Sequence, residues 1–193
     1  MKHPKLFQGK TLDNFMKKIL YIAVVFMLTM AGCAVGPSPS SMVATIRTET
    51  NVTADGVLVV SKVIGGEETN PIIMSKIDND SFREALYKSL KYLGLFEKTI
   101  LQGKGDYRLN AEILSQELKG GINMAATLLV RYELYLESSN QTVWAENIFS
   151  QHEAYFEESY DGNKRAQLAN EGVAKNNISQ LIVKLRAYIK SSN

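Results

Sequence analysis

Cysteine occurs once in these 193 residues and histidine only twice, and each scarcity removes a class of chemistry. A single thiol, Cys33, cannot close an intramolecular disulfide, so the fold receives no covalent staple. His3 and His152 with one cysteine fall short of the ordered ligand set that a zinc site needs, so no metal ligand is assigned. A Ser-His-Asp arrangement would have to use His152, and no Gly-x-Ser-x-Gly elbow accompanies it. Gly65-Gly66 and Gly103-Lys104-Gly105 lack the Gly-Lys-Ser/Thr continuation of a phosphate loop and read as turns. No catalytic residue and no cofactor is expected from these patterns.

Long apolar runs are equally scarce. The uncharged stretch 19–32 is fourteen residues long, short of the roughly 20 that a permanent membrane-spanning helix requires. Lys17 and Lys18 precede it, which makes it the apolar region of an export signal spanning residues 1–32. Met16 opens a complete signal by itself, and the favoured reading places the true start there. Five of the 22 basic and one of the 20 acidic residues precede Cys33, so the remainder carries a net charge of −2. A mildly acidic domain with scattered Lys and Arg has no basic stripe, which excludes nucleic acid as a partner.

What the chain does have is a signature around its one cysteine. Met30, Ala31, Gly32 and Cys33 resemble the lipobox of bacterial lipoproteins. That resemblance implies a diacylglycerol thioether on Cys33, cleavage in front of it, and a covalent lipid as the only attached group. Each buried methylene of such a chain adds about 0.8 kcal/mol, so more than one chain anchors firmly. Ala34 after the cysteine, rather than Asp, resembles the sorting pattern of outer-membrane lipoproteins with their domain in the periplasm.

Residues 33–55, with Pro37, Pro39 and a cluster of Ser and Thr, read as the lipidated cysteine followed by a flexible tether. Residues 56–193 read as one periplasmic domain. Within it, 57-VLVVSKVI-64 is a β-branched strand closed by Gly65-Gly66. The segment 81–96 places Phe82, Leu86, Leu90 and Leu93 at helical spacing, with Ser81 and Glu84 at the spacing of a capping box and Gly94 as the stop. Residues 107–113 alternate as a half-solvated strand, and 127–137 with 142–156 form an antiparallel hairpin whose second strand needs a bulge. From Lys164 to Lys190, Ala174, Ile178, Leu181, Leu185 and Tyr188 make a second helical stripe, with Asn176 and Asn177 off it. The expected fold is α+β: a two-layer sandwich of order β-α-β-β-β-α, with both helices on one face of a four-stranded, largely antiparallel sheet.

The most distinctive stretch is 65-GGEETNP-71. Gly65, Gly66, Glu67, Glu68, Thr69 and Asn70 form the candidate binding loop, since glycines permit close backbone approach and loops carry binding more often than strands do. Paired glutamates on a solvated loop are the competing reading. The acidic cluster of Glu157, Glu158 and Asp161, with Asp78 and Asp80, lacks the alternation of a calcium loop. Tyr132, Tyr135, Trp144, Phe149, Tyr155, Phe156 and Tyr160 all lie in or beside the hairpin, and those left exposed would mark a docking surface.

Together GGEETNP, SFREALYKSLKYLGL, DYRLNAEI, VRYELYL and RAQLANEGVAKNNISQLI resemble a poorly characterised family of Gram-negative envelope lipoproteins, over Val57 to Leu185. The order of elements is similar to that of ABC-type transport auxiliary lipoproteins and of the lipopolysaccharide-assembly lipoprotein, an analogy of topology. The resemblance implies a lipid-anchored accessory protein of the outer membrane, not an enzyme, that binds an envelope protein or lipid ligand during assembly or transport. The alternative is an enzyme of envelope sugar or lipid metabolism, with Glu67, Glu68 or His152 as acid or base. It follows from the UDP-N-acetylglucosamine acyltransferase label that some members of such families carry. The hexapeptide repeats and catalytic histidine of those acyltransferases have no counterpart here.

Overall fold

The computed structural model describes residues 34–46, 52–70 and 74–192, together with Lys18. The chain divides into a unit Met1–Cys33 and a unit Ala34–Asn193, and the sheet and both of its helices belong to the second. The expected signal and lipobox, Cys33 included, lie outside the described residues.

The strands are β1 (Ala54–Ile64), β2 (Phe96–Ile100), β3 (Tyr107–Lys119), β4 (Met124–Leu136) and β5 (Gln141–Ala154). Helix α1 spans Asn79–Leu93, a 3-10 turn spans Phe156–Glu158, and helix α2 spans Gly162–Ser192. They form one five-stranded sheet of order β2-β1-β3-β4-β5. This corrects the expected four-stranded, largely antiparallel sheet. Strand β1 runs parallel to both β2 and β3, and only β3-β4-β5 is antiparallel.

The extra strand follows from the path of α1. Gly94 ends the helix in the left-handed conformation (φ 59°), and the N–H of Ala54 bonds to the carbonyl of Leu95, 2.9 Å away. A helical return of this kind brings the chain back to the start of β1, where only parallel pairing is open to it. In β2 only Phe96 and Thr99 are buried, so its five residues show no period of two. The connection from β2 then passes β1 to reach its other side. Gly105 makes that passage possible, because a Cβ there would stand 2.7 Å from the carbonyl oxygen of Val57.

Helix α1 begins earlier than the sequence pattern indicates. Asp78, not Ser81, caps it by accepting the N–H of Ser81 at 2.8 Å. Leu128, Val130, Tyr132 and Leu134 alternate into the core from β4, while Arg131 and, on β5, Phe149 point to the open face. Removing a core side chain such as Leu128 or Leu134 down to Ala costs about 2–5 kcal/mol. The 31 residues of α2 extend about 46 Å, which matches about 45 Å for strands of thirteen or fourteen residues. The helix therefore lies along the full length of β4 and β5. The hairpin carries its register shift at Leu134/Tyr135. No helix of the described residues is long and apolar enough to cross a membrane.

Candidate functional site

The chain does not leave Ala34 as a free tether. Ala34, Pro37, Met42 and Ala44 are buried, and the segment 34–46 lies in the groove between the helices. The N–H of Ser38 donates to Glu171 Oε1 on α2 at 2.9 Å, and that of Ala44 donates to Ser89 Oγ on α1 at 2.9 Å. This differs from the flexible tether that the composition of 33–55 suggests. Alternating small and apolar residues (Pro37, Met42, Ala44) fill a narrow groove without showing any strand or helix period.

The loop after β1 is built by the residues that made it conspicuous. Gly65 has φ 81°, and a Cβ there would run into the carbonyl oxygen of Ile113. Gly66 donates its N–H to Asn79 Oδ1 at 2.8 Å. Thr69 Oγ1 both donates to the carbonyl of Lys76 (3.0 Å) and accepts its N–H (2.9 Å), pinning the two arms of the loop together. Gln116 on β3 does the same for Ile77, through Oε1 at 2.9 Å and Nε2 at 3.1 Å. Glu67 ends in an exposed ion pair with Lys76 at 3.1 Å, Glu68 is exposed, and Asn70 bridges to Met74.

The motif 169-ANEG-172 on α2 closes this corner, one residue at a time. Ala169 is buried against the core, Asn170 donates to the carbonyl of Ser75 at 2.8 Å, and Glu171 holds Ser38. Gly172 leaves the space that the His152 imidazole fills; a Cβ on Gly172 would overlap that ring. Thus two motifs about a hundred positions apart meet around Gly36 and Ser38. The half-buried His152 ring therefore packs against Gly172 on the helix layer, His152 also lines an open pocket of about 460 Å³ with Thr127, Gln151 and Tyr155, and Glu67 pairs with Lys76 on the loop. Among the described residues no group of three or more His, Cys, Asp or Glu could hold a metal ion.

The far face of the sheet is a second, different surface. Lys62, Asn110, Glu112, Arg131 and Glu133 surround an open pocket of about 110 Å³. Arg131 pairs with Glu133 at 2.6 Å, and Arg108 pairs with Glu137 at 2.6 Å while lying over the ring of Tyr135. Asn110 Oδ1 is buried there with no hydrogen-bond partner among the described residues. Ile64, Leu114 and Phe149 are exposed on the same sheet. Of the aromatics flagged in the sequence, Tyr132 is fully buried, Tyr135 and Trp144 are half-buried, and Phe149, Tyr155, Phe156 and Tyr160 are exposed. Burial pushes the Tyr132 phenol well above its ordinary value.

No protein-family profile matches this chain, and no curated protein does. Solved structures resemble it in fold. A Xanthomonas campestris protein of the family model DUF330 superposes with a TM-score of 0.61 at 14% identity, covering 82% of this chain and 97% of that one. A hypothetical protein from Chlamydia trachomatis gives a TM-score of 0.51 at 10% identity, covering 72% and 98%. A minor lipoprotein from Acinetobacter baumannii gives 0.45 at 12% identity, covering 68% and 92%. At these identities the likeness concerns the fold alone.

Proposed function

We propose that this chain is a lipid-anchored periplasmic accessory protein of the outer membrane, which docks a partner protein during envelope assembly or transport and performs no catalysis. The observation that carries the reading is the docked exit of the chain. The residue joined to Ala34 is the lipobox cysteine, and Ala34 to Ala44 are fastened into the helix groove by Ser38–Glu171 and Ala44–Ser89. A thioether on Cys33 would therefore hold the folded domain close to the bilayer rather than on a long leash. The outer face of the sheet stays open, with charged pairs, a buried unpaired amide oxygen and isolated apolar side chains. Such a mixture suits a protein surface better than an acyl chain.

The test is mass spectrometry of the native protein with membrane fractionation of the wild type and of Cys33→Ser. An acylated N-terminal Cys33, with wild-type protein in the outer-membrane fraction and the Ser variant displaced from it, supports the reading. An unacylated thiol on an uncleaved chain overturns it. Crosslinkers placed at Arg131 or Phe149 should then capture a reproducible envelope protein, and capture none if the sheet face has no partner.

A further inference from the structure

Among the described residues, five of the ten exposed large apolar side chains lie at one end of the domain. Val35 stands beside the chain's entry, Ile122 on the β3–β4 turn is 79% exposed, and Tyr155, Phe156 and Tyr160 follow the end of β5, with Tyr160 at 82%. Topology puts the last four together: β3 ends, β4 begins, β5 ends and α2 begins at this end. Asn123 ties the two loops, donating through Nδ2 to Glu153 Oε1 at 2.9 Å and accepting the N–H of Phe156 on Oδ1 at 3.1 Å. Phe156 and Tyr160 meet edge to face at 5.1 Å, and the Arg165 guanidinium lies over the Phe156 ring. The rim is thus a built surface with fixed rings.

The chain enters at this same end. Gly36 lies so close to Thr69 that a Cβ would stand 3.0 Å from its Oγ1, and Ser38 is held by Glu171 in the first third of α2. From there the segment 34–46 runs down the groove toward Ser89 and the other end of the sheet.

We infer that this rim of Val35, Ile122, Tyr155, Phe156 and Tyr160 sits in the headgroup region of a zwitterionic phospholipid surface, fixing the domain's orientation on the membrane. The inference rests on the lipid anchor proposed above. Tyrosine and phenylalanine with an apolar body and, for tyrosine, a polar tip favour the membrane–water boundary. A second attachment beside a covalent one needs little intrinsic affinity, because the anchor holds the rim at high effective concentration. Exposed Glu157, Glu158 and Asp161 among the rings disfavour an anionic surface, which is why the surface is zwitterionic. The charged outer face of the sheet then stands clear of the lipid, open to a partner.

The test uses the lipidated full chain, in which the thioether blocks Cys33 and an introduced cysteine is the sole free thiol. Ile122→Cys, Tyr160→Cys and, at the opposite end on the β4–β5 turn, Ser139→Cys are each labelled with an environment-sensitive fluorophore and reconstituted in phosphatidylcholine vesicles containing nitroxide-labelled lipid. The expected result is quenching at positions 122 and 160 greater by about threefold than at 139. Weak and equal quenching at all three positions, with the protein still vesicle-bound, overturns the orientation and leaves the anchor standing. Protection of position 122 from an aqueous quencher without quenching by lipid means that a second copy or another protein covers the rim, and also overturns it. Labelling of Cys33 in the unmutated chain removes the anchor, and the orientation with it.

Discussion

Glu171 Oε1 receives the N–H of Ser38 at 2.9 Å across 133 positions of sequence, and also the side-chain N–H of Gln167 at 2.9 Å. Glu171 is 6% exposed, on a helix whose buried face also carries Gln167, Asn170 and Asn177. Its carboxylate is therefore a latch for the entering chain. Glu171→Ala should leave the part-buried Ser38 amide without its acceptor and lower stability by about 1 kcal/mol. Glu171→Gln keeps an oxygen acceptor and should lose less. Hydrogen exchange is the discriminating measurement, because only the Ala variant should speed exchange over 38–44 while β3 and β4 stay protected. Unchanged exchange in that segment would show that Met42 and Ala44 hold it by burial alone.

A second buried pair joins the layers. Tyr132 Oη donates to Asn177 Oδ1 at 2.8 Å, and Asn177 Nδ2 donates onward to the carbonyl of Ile148 at 2.8 Å and to Ser150 Oγ at 3.1 Å. Tyr132 is completely buried and its phenol is pushed well above the ordinary value of 10.0 by that burial. The sign follows directly: the folded state holds the phenol proton more tightly than the unfolded state does. The associated stability is intact below pH 10 and is lost as pH rises from there toward the folded value. Above pH 10 the wild type should thus lose up to about 1.4 kcal/mol per pH unit more than Tyr132→Phe, whose curve lacks this limb. Near neutral pH, Asn177→Leu should be the more damaging variant, by about 1–3 kcal/mol, since it strands the phenol O–H together with buried acceptors. Urea midpoints at pH 7 and pH 11 measure both effects.

Much of the periodicity was legible in the residues. The stripe Phe82, Leu86, Leu90 faces the core as its spacing requires, and so do Ala174, Ile178, Leu181 and Leu185. The alternation of Tyr107, Leu109, Ala111 and Ile113 likewise marks the inner face of β3. The parallel edge was hidden, because β2 buries two residues of five and its pairing with β1 depends on where α1 delivers the chain. Asn177, being polar, does not belong to the apolar stripe of the helix. It is fully buried because the carbonyl of Ile148 and the phenol of Tyr132 supply partners that no helical wheel displays.

The candidate site was half legible, for a related reason. Gly65 and Gly66 mark a close backbone approach in the sequence, and with Thr69 they build a tied loop that carries Glu67 and Glu68 on its solvated rim. The docking of 34–46 had no signature, since Pro, Ser and small apolar residues serve a tether and a groove filler equally well. Its partners, Glu171 and Ser89, come from distant helices. Cys33, with its lipobox-like motif, lies outside the described residues.

Gly172 offers the sharpest reversal of an ordinary rule. Replacing glycine by alanine inside a helix usually stabilises by about 0.5–1 kcal/mol, through backbone entropy and helix propensity. At this position the new methyl would occupy the space of the His152 ring, with β5 behind it. Gly172→Ala should therefore destabilise, by about 1–3 kcal/mol as overpacked cores do. His152→Ala empties that space, and in its background the same Gly172→Ala change should become neutral or stabilising. The double-mutant cycle reads the contact as a coupling whose sign is fixed in advance. If Gly172→Ala stabilises the wild type as much as it does the His152→Ala protein, the imidazole does not lie on the helix, and His152 would again be free to act as an acid or base at the surface.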